Sequence, residues 1–198
     1  VTRLNPGIDP WVPAPGTSLE LPTWSVLPDA PPSGLVINLP ELRLYDFTRP
    51  GTPEVYAIAI GDADWPTPTG SFRAGAKRAE PVWYVPTSIR GEHPELPAVV
   101  PPGPANPLGS HWITIGTTSY GLHGTNNRWS IGRLSTHGCV RLYDDVMQRL
   151  FERLPGATPI RIVYQTSLIG KLSDVLNVTP SSCRAMTSLV FVCGMNSA

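Results

Sequence analysis

Short apolar runs, separated by turn residues, dominate the middle of the chain. Glu41–Phe47 alternates apolar and polar residues, which is typical of a half-buried strand. The other runs are bounded by Gly, Pro, Asn or Ser, as strands usually are. We predict strands at Leu35–Leu39, Glu41–Phe47, Val55–Ile60, Ser71–Ala74, Val82–Val85, His111–Gly116, Tyr120–His123 and Ile160–Tyr164.

One segment has clear helical spacing. Val146, Leu150 and Leu154 recur at intervals of four, and Asp144-Asp145 supplies an acidic start that suits a helix N-terminus. Pro155-Gly156 ends the pattern. Many strands and one clear helix predict a mainly β domain over residues 34–165.

Proline divides the rest of the chain, because it has no backbone donor and a fixed φ. Many of its 24 prolines lie in Pro6–Pro32 and Pro94–Pro107, which predicts extended linkers and loops there. We expect a turn-rich segment at residues 1–24, a linker at 25–33 and a tail at 166–198. A short helix is predicted at Ser167–Val178 in that tail, whose role the sequence does not indicate.

Composition narrows the class of partner. Lys+Arg and Asp+Glu both number 15, so no basic excess indicates nucleic acid. No apolar run approaches the ~18 residues of a membrane span, and the first residues lack the apolar core of a signal peptide. Of three cysteines, Cys183 and Cys193 are near enough in sequence to form a disulfide, or else are two inert thiols.

The third cysteine, Cys139, lies in a stretch with the parts that thiol catalysis needs. A thiol nucleophile requires a base that takes its proton and forms an ion pair with it, and donors for the oxyanion. Both His123 and His137 are candidate bases, and Gly138 allows close backbone approach. Spacing alone does not choose between the histidines, nor does it exclude a simply packed cysteine.

Zinc is the alternative use of these residues. Bringing His111 together with His123, His137 and Cys139 would supply four ligands, but no paired Cys-x-x-Cys or His-x-x-x-His spacing supports such a site. We therefore predict neither a metal nor another cofactor.

Three motifs together resemble the signature of the L,D-transpeptidases of the YkuD/ErfK family. They are His123-Gly124-Thr125, Ser130-Ile131-Gly132 and Ser135-Thr136-His137-Gly138-Cys139-Val140-Arg141-Leu142. The likeness covers roughly residues 34–165, and implies a YkuD-like β-sandwich or barrel with its helix after the catalytic loop. Residues 1–24 also resemble part of a LysM module, whose first half is absent, so we assign no glycan binding to them.

The resemblance implies a role for each site residue. His123 is the base, the Gly124 carbonyl orients it, and Cys139 is the nucleophile. The implied oxyanion donors are the N–H groups of Gly138 and Cys139, and His137 and Ser135 support the loop. Arg141 contacts the substrate or anchors the loop. Tyr120 and Trp129 are candidates for substrate contact because they flank the motif.

The implied activity is acyl transfer on peptidoglycan stem peptides. Cys139 attacks the carbonyl of the third stem residue, D-Ala leaves, and an amine of a second stem gives a 3-3 cross-link. Water or a protein lysine as acceptor would instead make a carboxypeptidase or a lipoprotein-anchoring enzyme. A non-catalytic peptidoglycan-binding protein is the alternative from another class. The resemblance also implies the periplasm or cell envelope as location, and acylation of Cys139 by carbapenems.

Overall fold

The computed structural model describes residues 5–9, 12, 14–20 and 26–166, and the backbone of two short strands at 169–170 and 191–192. The chain divides into two compact units. The larger unit is Ala30–Thr166, which contains every candidate site residue. The smaller unit combines Val1–Asp29 with Ser167–Ala198.

Twelve strands and two helices build the larger unit, all of whose residues are described. The helices are α1 (Thr87–Glu92) and α2 (Asp144–Arg153), and Arg128–Ser130 forms a 3₁₀ turn. The strands are β1 (Leu35–Asn38), β2 (Arg43–Asp46), β3 (Glu54–Ala57), β4 (Ile60–Gly61), β5 (Gly70–Ala79), β6 (Trp83–Tyr84), β7 (Val99–Val100), β8 (His111–Ile115), β9 (Gly121–His123), β10 (Leu134–Thr136), β11 (Val140–Arg141) and β12 (Pro159–Val163).

Eight of these strands form one mixed sheet in the order β11-β9-β8-β5-β12-β1-β2-β3. The pairs β1–β12 and β9–β11 are parallel, and the other neighbours are antiparallel. A register shift between Ala74 and Lys77 interrupts the pairing of β5 with β8, and such shifts bend a strand. The sheet therefore curls, while β4–β10 and β6–β7 form small separate pairs.

The core lies under α2, which packs against β8 and β9. Its apolar face buries Val146, Met147 and Leu150. These side chains meet a cluster from the sheet and adjoining loops, so the strands beneath the candidate site are firmly packed. That cluster includes Leu35, Ile37, Leu44, Ile58, Ile113, Ile115, Leu122, Val140, Leu142, Ile160 and Ile162.

The mainly β prediction with one clear helix is confirmed, and the predicted strands differ mostly at their ends. The predicted strand Val55–Ile60 is interrupted, because Ala59 instead exchanges two backbone hydrogen bonds of 2.9 Å with Arg141. Ser71–Ala74 is the beginning of a longer strand, β5. The sequence missed α1, β7, β10 and β11; α1 buries none of its residues, so it leaves no apolar periodicity.

In the smaller unit, two hydrogen bonds join the Asn5 side chain to the backbone of Glu20. The Asn5 side chain donates to the Glu20 carbonyl at 2.8 Å and accepts from the Glu20 amide at 2.7 Å. In the tail, Ile169–Gly170 pairs with Phe191–Val192 as β13 and β14. The helix predicted at Ser167–Val178 is therefore wrong at 169–170, and its remaining positions lie outside the described residues. Cys183 and Cys193 also lie outside them.

Candidate active site

A cavity of about 570 Å³ opens on the β11–β9–β8 end of the sheet. It is covered on one side by the segment that carries β6 and α1. Most of the sequence-predicted site residues meet there. Those that line it are Cys139, His123, His137, Ser135, Arg141 and Tyr120. Trp129 is 85% exposed and is not among the lining residues, so the cavity gives no support to the predicted substrate contact.

A row of four paired residues crosses the sheet under this cavity. Arg78 of β5 pairs with Trp112 of β8, which pairs with His123 of β9, which pairs with Arg141 of β11. Directly paired residues project to the same face of a sheet, and all four line the cavity. The imidazole thus lies between an indole, stacked on it at 5.8 Å between centroids, and a guanidinium.

The imidazole of His123 is fixed through its Nδ1 atom. This nitrogen is 2.7 Å from the Gly124 carbonyl oxygen, and the residue is only 3% exposed. Because a carbonyl only accepts, Nδ1 carries the proton, and the neutral ring therefore keeps its free lone pair on Nε2.

Gly124 is held in place by the beginning of α2. A Cβ at this position would collide with the Asp144 carboxylate, so only glycine fits. The same carboxylate accepts from the Ser110 amide at 2.9 Å and from the Ser110 hydroxyl at 2.8 Å. Asp144 therefore ties the helix to the strand that carries Trp112, and was missed as a site residue because its partners are distant in sequence.

Cys139 ends a tight loop that leads into β11. The buried Thr136 hydroxyl donates to the Cys139 carbonyl at 2.6 Å and closes this loop. Gly138 has φ +92°, and a Cβ there would collide with the Tyr120 ring. Both the left-handed backbone and the ring require glycine beside the thiol.

The thiol and the imidazole are both neutral at rest. Burial lowers the pKa of His123 to about 3; the charge of Arg141 lowers it further, while the Gly124 and Leu108 carbonyls raise it. Burial raises the pKa of the Cys139 thiol, against smaller lowering effects of the Gly121 backbone and Arg141. The expected ion pair is therefore not favoured in the free protein. No hydrogen bond joins the Cys139 sulfur to the His123 ring among the described residues.

His137 points to a different partner. Its Nε2 lies 3.0 Å from Glu92 Oε2 at the end of α1, and its ring stacks on Trp65 at 5.5 Å. The Trp65 indole also donates to Glu92 Oε1 at 3.1 Å. Three distant segments thus meet beside the catalytic loop. Glu92 and Trp65 were not predicted as site residues, because both are far from the Cys139 motif in sequence.

Neither a metal-binding cluster nor a membrane-spanning helix is present among the described residues. No group of three or more His, Cys, Asp or Glu side chains is arranged to hold a metal ion in this part of the chain. No helix in the same part has the length and apolar character of a membrane span.

Comparison with known proteins identifies the family to which the chain belongs. Residues 32–162 match the family model described as the YkuD L,D-transpeptidase catalytic domain. The chain is 43% identical over 171 residues to the probable L,D-transpeptidase YcfS of Escherichia coli, covering 81% of this chain and 53% of that protein. The chain thus spans about half the length of this curated relative.

Solved structures share the fold. The Ldtfm–avibactam carbamoyl enzyme aligns with a TM-score of 0.54 and 19% identity, over 67% of this chain and 49% of that one. L,D-transpeptidase 3 of Mycobacterium tuberculosis, in complex with a faropenem-derived adduct, aligns with a TM-score of 0.51 and 14% identity, over 66% and 59%. With two thirds of its length matched by the family model, the chain belongs to the YkuD family of L,D-transpeptidase catalytic domains.

Proposed function

We propose that this chain is a peptidoglycan L,D-transpeptidase domain that works through a thioester on Cys139. The observation that carries the proposal is the convergence of Cys139, His123 and the Gly124 carbonyl at one cavity, within the region that matches the family. A thiol, a proton acceptor and a fixed tautomer are the minimum set for acyl transfer.

In the first half-reaction, the Cys139 sulfur attacks the carbonyl carbon of the third stem residue, usually meso-diaminopimelate. His123 Nε2 takes the thiol proton as the C–S bond forms. The C–N bond to the terminal D-Ala then breaks, and the proton passes from His123 to the departing amine. Because both groups begin neutral, proton transfer accompanies attack rather than preceding it.

In the second half-reaction, an amine of another stem attacks the thioester carbon. His123 accepts a proton from the amine, the C–S bond breaks, and the proton returns to the thiolate. The product is a 3-3 cross-link. Water in place of the amine gives a carboxypeptidase, and a protein lysine gives a lipoprotein-anchoring enzyme.

The tetrahedral intermediate needs donors for its oxygen. We assign this role to the backbone N–H groups of Gly138 and Cys139, which donate to no other group in the described part of the chain. His137 and Ser135 support this loop: His137 through Glu92, and Ser135 through a hydrogen bond of 3.3 Å to the Ser130 carbonyl. Tyr120 and Arg141 line the cavity and contact the substrate.

The proposal extends to inhibition and location. Carbapenems acylate Cys139 by the same attack on a strained carbonyl, an expectation in line with the faropenem-derived adduct named for the M. tuberculosis relative. The substrate lies in the cell wall, so the domain acts in the periplasm or cell envelope. The partial LysM-like character of residues 1–24 stays a prediction, and no binding is assigned to it.

The test is product analysis with a disaccharide-tetrapeptide as donor and acceptor. Wild-type protein is expected to release D-Ala and form a dimer, and Cys139→Ala to do neither. Mass spectra identify the acceptor. A dimer shows that the acceptor is the amine of a second stem, free tripeptide shows that it is water, and a lysine adduct shows that it is a protein. Folded wild-type protein that gives no D-Ala release from this donor would refute the proposal.

A further inference from the structure

Arg141 carries a charge that the described residues leave without a partner. Its side chain lines the cavity, yet its guanidinium forms no hydrogen bond or ion pair with any described residue. Its Nε atom is buried and has no acceptor. Buried donors are nearly always satisfied in folded proteins, so such an exception needs an explanation.

The charges of the residues that line the cavity around Arg141 favour a negatively charged ligand. None of the described residues that line it is acidic, whereas a second guanidinium, that of Arg78, stands at the other end of the paired row. Burial lowers the pKa of Arg141, since no carboxylate offsets its desolvation. A guanidinium binds a carboxylate through two parallel hydrogen bonds. A carboxylate is therefore the ligand that suits the guanidinium of Arg141.

The position of Arg141 indicates which carboxylate fits. Cys139 directly precedes β11, Arg141 is the second residue of that strand, and both side chains line the same cavity. In the proposed donor, the terminal carboxylate lies one residue beyond the attacked carbonyl, and a single residue spans at most about 3.6 Å. A carboxylate attached that close to the attacked carbonyl enters the same cavity as Cys139 and Arg141.

Building on the proposed function, we propose that Arg141 binds the terminal α-carboxylate of the acyl donor and thereby selects stems that end one residue after the attacked carbonyl. Arg141 is then a specificity-determining residue. A stem with one more residue carries its terminal carboxylate too far away, and a stem with an amidated end carries no charge there.

The side-chain carboxylate of diaminopimelate offers the same chemistry, so the experiment separates the two sources. Three tetrapeptide donors are compared by the kcat/KM of terminal-residue release: the free acid, its C-terminal carboxamide, and the free acid with the third side chain amidated. Wild type is expected to lose about 100-fold with the terminal carboxamide and little with the side-chain amide.

Variants then assign the effect to the guanidinium. Arg141→Gln is expected to lose activity on the free acid alone, so that the ratio between free acid and terminal carboxamide falls to nearly one. Arg141→Lys keeps the charge and is expected to restore part of that ratio, and it serves as the second variant should Arg141→Gln fold poorly. Arg161→Gln removes an exposed guanidinium of β12, outside the cavity, and should keep the wild-type ratio.

A ratio unchanged in Arg141→Gln would overturn the proposal, as would a loss that follows the side-chain amide instead. Failure of the proposed function has a different signature, because wild type would then release no terminal residue from any of the three donors.

Discussion

Two guanidiniums at opposite ends of the sheet differ in what surrounds them. Arg153 of α2 contacts Asp46, Glu54 and the Tyr56 hydroxyl, and these partners raise its pKa. Arg141 has no such partner among the described residues, and burial lowers its pKa. The Nε atoms of both are buried without an acceptor. At the β2–β3 end, the closed end, the protein's own carboxylates face the guanidinium. At the β11–β9 end, the open end, no described carboxylate does so, and the guanidinium lines a cavity.

Replacing His123 tests the open end and should have the largest effect. His123→Gln keeps a polar side chain but cannot accept and return a proton, so kcat should fall about 10²–10⁴-fold. D-Ala release from the tetrapeptide measures this. An equal loss of kcat in a variant remote from the cavity, such as Arg161→Gln, would contradict the assignment.

The same variant carries a pH signature. Because the pKa of His123 is lowered to about 3, below its unfolded value of about 6.5, the unfolded state binds more protons between these values. Wild-type stability should therefore fall as pH decreases through this window, and His123→Gln should lose less. Urea unfolding at pH 7.5 and pH 4.5 measures the difference. Parallel losses in the two proteins would count against a buried neutral imidazole.

Replacing Asp46 tests the closed end. Asp46→Asn removes a buried carboxylate and leaves Arg153 partly uncompensated, so unfolding should become easier by about 3 kcal/mol. The kcat/KM of the folded fraction should stay unchanged, since Asp46 lies outside the cavity. Arg49→Gln is the control: it breaks the exposed pair with Glu54, which contributes about 0–1 kcal/mol. Equal destabilisation by Asp46→Asn and Arg49→Gln would contradict the expected difference between the buried and the exposed ion pair.

A smaller effect is expected at Gly138. Gly138→Ala adds a methyl group against the Tyr120 ring at a φ of +92°, so the loop must shift and move its N–H groups. The rate of acyl transfer should fall about 10–100-fold, which corresponds to a strain of about 1–3 kcal/mol. Gly132→Ala also adds a methyl at positive φ, but meets nothing within 4 Å, and controls for backbone strain alone. Similar losses in both variants would argue against loop geometry as the cause.

The smallest effect should come from Glu92. Glu92→Gln removes the charge that faces His137 across an exposed contact, and water screens such contacts strongly. We expect KM for the donor to rise about twofold to fivefold with kcat nearly constant. Glu95→Gln, which affects only an exposed contact with His93, should leave KM unchanged. A change in kcat alone would place Glu92 in the chemistry instead.

Much of this molecule could be predicted from its sequence, for physical reasons. Alternation identified β2, and four-residue spacing identified α2, because burial on one face imposes those periods. The resemblance to the family signature predicted that Cys139, His123 and Gly124 belong to one site. Nothing local identified α1, whose residues are all at least partly exposed.

The relations between distant segments could not be predicted. The row from Arg78 to Arg141 depends on the register of four strands, and strand register is set by tertiary packing. The neutral state of His123 depends on its burial, which spacing does not reveal. Trp129 flanks the signature in sequence, yet its side chain is exposed outside the cavity lining.

Trapping the acyl-enzyme shows whether a thioester forms on Cys139. The 198-residue chain is mixed with the tetrapeptide donor, and the reaction is quenched in acid within milliseconds to seconds. The mass of the intact protein is then measured by mass spectrometry. The expected result is an adduct equal to the donor minus D-Ala, mapped to Cys139 after digestion and missing from Cys139→Ala. An adduct of equal abundance in Cys139→Ala, or D-Ala release by that variant at the wild-type rate, would contradict the thioester mechanism.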